Sequence, residues 1–229
     1  MDRLPVLTPR LRCVADQVRR GCRLIDVGCD HAHLSAVLVG GGHCSSALAT
    51  DIRRGPCDSA RATLLQTGLA DRIEVLQTDG LQGIAFSDCD DVVIAGMGGE
   101  MIVRILSARP DVAVPHIHLI LQPQTDLPLV RSYLYQNGYT FAEHLAWEDP
   151  RLYHVLCANF VGAVQNPSLA DIQIGSPKGD LALLAHYHHK LRNTLTVRLE
   201  GMRRAQLPGR DTLDAIDEIE TVLSLLAEL

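Results

Sequence analysis

The sequence predicts an α/β protein: a doubly wound, largely parallel sheet closed by an antiparallel last strand, with a C-terminal helical hairpin after it. Three observations predict this. From residue 23 to about 122, short β-like runs alternate with helix-length segments, as βαβ units do. Two further β-like runs, Thr140–Trp147 and Leu152–Phe160, are joined by Glu148-Asp149-Pro150-Arg151, too short a link for a crossover helix. From residue 181 onward, apolar side chains recur at three- and four-residue steps.

Each element has a local reason. Arg23–Val27 reads as a first strand ending in Gly28, and a helix then runs from near His31 to Gly40-Gly41-Gly42, where helix propensity is lost. Ser46–Asp51 is a second strand. Gly55-Pro56 opens a helix through Ala60, Ala62, Leu64 and Leu65 that stops at Gly68. Arg72–Leu76 forms a third strand ahead of Asp79-Gly80. Asp91–Ala95 is a fourth, nearly continuous in apolar residues as a strand covered on both faces should be. The loop Gly96-Met97-Gly98-Gly99 follows it directly, then a helix over Met101–Ala108, a fifth strand over Ile117–Gln122 and a helix over Leu127–Asn137.

Gly162–Gly179, with Pro167, Gly175, Ser176 and Pro177, reads as a linker or an irregular cover. Leu181, Leu184, His188, Leu191, Leu195, Leu199 and Met202 form one helical stripe. Leu213, Ile216, Ile219, Leu223 and Leu226 form a second, after a turn at Pro208-Gly209. Together they predict a short antiparallel, coiled-coil-like hairpin. The expected division is a sheet domain over 1–162 and a linker with a helical domain over 163–229.

The 229 residues, 47% hydrophobic, suffice for one globular domain and a small appendage. No run approaches the roughly 20 apolar residues of a membrane span, and the first residues lack the layout of a signal peptide, so a soluble cytoplasmic protein without a membrane partner is expected. Seven scattered cysteines without a Cys-x-x-Cys pair indicate neither a disulfide framework nor a zinc site, and reduced thiols are expected. His186-x-His188-His189 and His116-x-His118 lack a Cys or carboxylate to complete a cluster, so no metal is expected. Cys29 fits a small buried thiol better than a reactive one.

The net charge of −6 argues mildly against a nucleic-acid partner. Its distribution says more. Residues 1–23 hold six arginines against two aspartates, and residues 178–204 hold six basic against two acidic side chains. Residues 210–229 hold one basic against six acidic, so the two C-terminal segments could neutralise each other as paired helices.

In a doubly wound sheet, ligands bind beyond the carboxyl ends of the strands where the strand order reverses. Here those ends deliver Asp26-Val27-Gly28-Cys29-Asp30-His31, Asp51, Asp79-Gly80 and Ala95-Gly96-Met97-Gly98-Gly99. A nucleoside cofactor needs close backbone approach at a glycine, a carboxylate for the ribose hydroxyls and an acceptor for the adenine amino group. Gly28, Asp51 and Asp79 supply these in order. No Gly-x-Gly-x-x-Gly follows the first strand, and Asp30 and His31 stand where a pyrophosphate would need bare amides. A carboxylate there repels a pyrophosphate and suits a cation, such as the amino group or sulfonium of S-adenosylmethionine. The glycines of 96–99 leave space for a flat base to reach a transferable methyl group.

These segments, with Leu7-Thr8-Pro9-Arg10-Leu11, Asp30-His31-Ala32-His33-Leu34, Gly68-Leu69, Ile94-Ala95-Gly96-Met97-Gly98-Gly99 and Leu121-Gln122-Pro123, resemble bacterial tRNA (adenine-N1)-methyltransferases of the TrmK family, which modify adenine 22. The resemblance runs over roughly residues 7–160. It implies a class I methyltransferase, Rossmann-like sheet, S-adenosylmethionine as cofactor, tRNA as partner and a C-terminal coiled-coil domain. His33, Ser35, Asp51 and Gln124 stand where the family has Tyr, Pro, Glu and Asn, and His154 follows Tyr153 in place of Glu.

On that resemblance, Arg10, Asp26, Gly28, Asp51, Asp79, Gly80, Ala95, Gly96 and Met97 are the expected cofactor residues. Gly98, Gly99, Gln122, Arg192 and Arg198 are the expected substrate residues. Asp30 would balance the charge developing on the methylated base or take a proton from its amino group, with His31 as the alternative. Arg10 would cover the methionine carboxylate or grip a phosphate. A target base drawn out of tRNA needs its flanking phosphates held, for which the two basic segments are the candidates. A methyltransferase acting on a small molecule or a protein, and a non-catalytic RNA-binding relative, are the competing readings; a monomer is the expected state.

Overall fold

Thr8 and Pro9 start a helix that apolar periodicity does not reveal. In the computed structural model, which describes residues 4–87, 90–204 and 210–229, α1 spans Pro9–Ala15. The Thr8 hydroxyl caps it by accepting from the Leu11 backbone N–H, and Pro9 sits at the first helical position, where its missing donor costs nothing. The alternation then follows as expected. It comprises β1 (Arg23–Val27), α2 (His33–Gly40), β2 (Ser46–Asp51), α3 (Arg54–Thr67), β3 (Ile73–Gln77), β4 (Asp90–Met97), α4 (Gly99–Ser107), β5 (His118–Pro123) and α5 (Leu127–Gln136). The hairpin is β6 (Tyr139–Glu148) and β7 (Arg151–Phe160).

The seven strands lie in the order β3-β2-β1-β4-β5-β7-β6. The first five pair in parallel, and β7 runs against both β5 and β6. This is the expected doubly wound sheet, with the antiparallel last strand inserted between β5 and β6 rather than placed at the edge. The strand order reverses between β1 and β4, which fixes where a ligand crevice opens.

Alternation along β1 feeds both faces. Leu24 joins Val14, Leu38, Val39 and Leu64 under α1–α3, whereas Ile25 and Val27 join Ile102, Leu106, Val130 and Leu134 under α4 and α5. Two apolar layers thus clamp the sheet and hold its strand ends rigid. Arg19 and Arg23 from the basic N-terminal segment are bound to Asp91 and Asp90, both fully buried, at the opposite end of β4.

Residues 163–179 are more ordered than a linker. Ser168 and Asp171 form a reciprocal capping box on a short helix, α6 (Leu169–Gln173). Lys178 bridges to His144 of β6, its N–H donating to the Glu143 carbonyl at 2.7 Å. Then α7 (Leu181–Arg203) and α8 (Arg210–Leu226) pair through Leu195, Leu199, Ile219, Val222 and Leu226. Leu145 and Leu152 of the β6–β7 hairpin belong to the same cluster. The Pro208-Gly209 turn lies outside the described residues. As the opposed charges suggested, Arg203 pairs with Glu220 across the two helices.

Candidate active site

The carboxyl ends of β1–β4 open onto a crevice of about 610 Å³. Asp26, Gly28, Asp30, His31, Asp51, Asp79, Gly80, Ala95, Gly96, Met97 and Gly98 all line it, as does Arg10 from α1. Four chain segments far apart in sequence therefore meet as expected from the strand order alone.

Asp26 is the most distinctive of these. It is buried, and the Ser35 hydroxyl donates to its Oδ2 at 2.8 Å. Burial pushes its carboxyl up to about 6, against the opposing effect of the Ser35 hydrogen bonds. It takes part in no ion pair among the described residues. A buried carboxylate of this kind is costly to ionise until a cation sits beside it. Next to it, Gly28 has φ +73°, and a Cβ there would collide with Met97 Cε. A side chain at 28 would therefore fill the crevice floor. Thr50, also on the lining, is fully buried, and its hydroxyl has no hydrogen-bond partner among the described residues.

Asp51 ends β2 and is buried, its Oδ1 accepting the Arg53 backbone N–H at 2.9 Å. Asp79 is more exposed and forms a forked ion pair with Arg104 of α4, at 2.9 and 3.2 Å. Above the floor, Asp30 and Ala32 both adopt left-handed backbone conformations, with φ of 50° and 54°. This unusual turn for non-glycine residues aims exposed Asp30 and His31 over the crevice. Asp30 Oδ2 and His31 Nε2 lie 3.7 Å apart, and the His31 ring stands 5.5 Å from that of His33.

Two expected substrate residues stand behind the wall instead of on it. The Gln122 side chain is fully buried; its Oε1 accepts from Arg10 Nη1 at 2.8 Å and from the Gly96 N–H at 3.1 Å. Gly99 is buried at the start of α4, where a Cβ would lie 2.6 Å from the Asp126 carbonyl oxygen. Its missing side chain makes room for the neighbouring loop. On α7, Arg192 donates to the Leu226 carbonyl at the end of α8, and Arg198 is exposed. Neither lines the crevice. Cys29 is buried, with its thiol pushed up by desolvation.

Sequence reasoning missed Thr50, Ile52, Met101 and Arg104 on the lining. Thr50 and Ile52 flank Asp51 and follow from strand-end logic. Arg104 had no local signal, because it reaches Asp79 only where α4 packs against the Asp79-Gly80 turn.

Residues 7–156 match the family model described as a methyltransferase domain. The chain belongs to this family. Among relatives of this chain, the tRNA (adenine(22)-N(1))-methyltransferase of Bacillus subtilis is 37% identical over 153 residues, which cover 66% of this chain and 64% of that protein, so that the match spans less than two thirds of the relative's length. The crystal structure of the B. subtilis m1A22 tRNA methyltransferase TrmK superposes with a TM-score of 0.83 at 28% identity, covering 99% of both chains. That of a putative tRNA (m1A22) methyltransferase from Streptococcus pneumoniae, in complex with S-adenosyl-L-methionine, gives 0.77 at 30% identity, covering 95% of this chain and all of the other. Both neighbours match across the C-terminal helices as well as the methyltransferase sheet. No helix among the described residues is long and apolar enough to cross a membrane.

Proposed function

We propose that this methyltransferase transfers a methyl group from S-adenosylmethionine to N1 of an adenine in tRNA. The observation that carries the reading is the convergence of Asp26, Asp51 and Asp79 on one glycine-walled crevice without a phosphate-binding loop. The crevice fits that donor. Asp26 needs a cation, and the wall at Gly28 permits close backbone approach. When bound, S-adenosylmethionine supplies an electrophilic methyl group, and its transfer to N1 leaves the base cationic.

In this reading, Asp26 holds the donor's ammonium group, Asp51 accepts from its ribose hydroxyls and Asp79 accepts from its adenine amino group as Arg104 swings aside. Arg10, steadied by Gln122, faces the donor carboxylate. Gly28, Gly80, Ala95, Gly96 and Met97 shape the wall, and Gly98 leaves a flat approach for the target base. Adenine N1 is unprotonated at neutral pH, so positioning and exclusion of water do most of the work. Asp30, beside His31, balances the positive charge on the product base or accepts a proton from its amino group. Arg198, and Arg192 through its backbone anchor, contribute to a basic face on the helical domain, residues 163–229, which packs onto the sheet domain, residues 1–162. The protein works in the cytoplasm as a monomer.

The test is incubation with labelled donor and total tRNA, followed by nucleoside analysis. Label in 1-methyladenosine is expected. Donor binding without label in any RNA would mark a non-catalytic relative, and label in small molecules or protein would redirect the acceptor.

A further inference from the structure

A second cavity, of about 500 Å³, lies between the β5–α5 loop, the start of β7 and α7. It stands back to back with the crevice across a thin wall. On one side are Met97 and Gly98, on the other Gln124 and Thr125; the Gln124 N–H donates to the Met97 carbonyl at 2.8 Å. A Cβ at Gly98 would lie 3.1 Å from the Thr125 hydroxyl oxygen. Tyr153 on this lining is linked to the crevice too, because the Arg10 guanidinium lies 5.6 Å from its ring centroid.

The chemistry of the second cavity differs from that of the first. Exposed Arg151 and Lys190 line it, and neither enters an ion pair among the described residues. Against them stands Asp126, which accepts from the Thr125 hydroxyl at 2.7 Å. In a chain of net charge −6, two uncommitted cations beside a half-buried tyrosine form an unusual patch. Of the arginines further along α7, Arg192, Arg203 and Arg204 already bind the Leu226 carbonyl, Glu220 and Glu200, and Arg198 does not line the cavity.

We infer that this cavity takes an unpaired nucleotide of the RNA next to the target adenine. Its base stacks on Tyr153, and its phosphates lie between Arg151 and Lys190. A splayed single-stranded nucleotide needs an aromatic platform and cations for its backbone, and the cavity lies within the size range of small-ligand sites. Placing it one wall away from the crevice lets adjacent nucleotides be held on either side of Gly98. The inference rests on RNA being the acceptor, and it moves the grip on RNA from the middle of α7 to its junction with β7.

The experiment compares wild type with the R151E/K190E double variant and with Tyr153→Leu. Substrate tRNA is used intact or with single abasic sites flanking the target. R151E/K190E is expected to weaken tRNA binding at least tenfold and to reduce the slope of log affinity against log salt by about 1 per lost phosphate contact, with donor affinity unchanged. Tyr153→Leu is expected to cost about tenfold on intact tRNA and nothing further on the abasic tRNA that removes its stacked base. Unchanged tRNA affinity and salt slope in the double variant, with wild type still forming 1-methyladenosine, would overturn the inference and leave the function standing. An additive Tyr153→Leu loss at every abasic position would also overturn it. Wild type forming no methylated RNA would instead fail the underlying function. Binding of free adenosine monophosphate as tight as that of tRNA would mark a site for a free nucleotide and overturn the inference as well.

Discussion

Two buried carboxylates, Asp26 in the crevice and Glu143 at the joint between sheet and helices, are treated in opposite ways. Asp26 has only Ser35 for a partner among the described residues, through its hydroxyl and its backbone, and a carboxyl pushed up to about 6. Burial pushes Glu143 upward as well, but His154 and Arg131 outweigh it and hold its carboxyl below the ordinary value. Arg131 is fully buried and grips Glu143 with two hydrogen bonds, at 2.7 and 2.9 Å, while donating to the Ile172 and Gln173 carbonyls of α6. Tyr187 of α7 closes the cluster by donating to the Ile174 carbonyl. At Glu143 the chain supplies the countercharge; at Asp26 the countercharge is left for the ligand to bring.

The paired site should show the largest effect. Glu143→Gln strands the Arg131 charge in the interior and should cost about 3–5 kcal/mol in denaturant unfolding, with donor affinity unchanged. A loss below about 1 kcal/mol would remove the contrast. Because the folded carboxyl is depressed, its stabilisation is complete above the ordinary value of 4.5 and is lost as the pH falls below it.

Asp26→Asn should do the reverse. Donor affinity should fall at least about tenfold by calorimetry, as for loss of a charged hydrogen bond, while stability holds or rises because an unpaired buried charge is gone. Wild-type donor affinity should also drop several-fold from pH 7 to pH 5 as Asp26 takes up a proton. Over the same range the free protein gains stability from this one group, since its folded state binds the proton more tightly than the unfolded chain. The smallest effect is expected at the exposed pair between α7 and α8. Arg203→Ala should cost less than about 1 kcal/mol, read from the shift of the unfolding midpoint.

The same contrast marks what the sequence makes legible. Asp26, Asp51 and Asp79 sit at the ends of their own strands, so period and turn chemistry locate them, and the parallel topology brings them together. Arg10 meets Gln122 across 112 residues, and Arg131 meets Glu143 and Ile172 through packing that no local pattern records. For the same reason Gly162–Gly179 reads only as a linker or an irregular cover, although its Ile172 and Gln173 carbonyls satisfy a buried guanidinium. Gly98-Gly99 reads as one loop feature, yet the two glycines face different neighbours, because one ends the crevice wall and the next begins a helix.

The most direct test is calorimetric titration of S-adenosylmethionine at pH 6 in buffers of differing ionisation enthalpy. With Asp26 about half protonated in the free protein, binding should release roughly 0.5 proton per donor, and the Asp26→Asn variant should release none. Equal proton release in both proteins, or none in either, would contradict the claim that the crevice keeps an unpaired carboxylate for a cationic ligand.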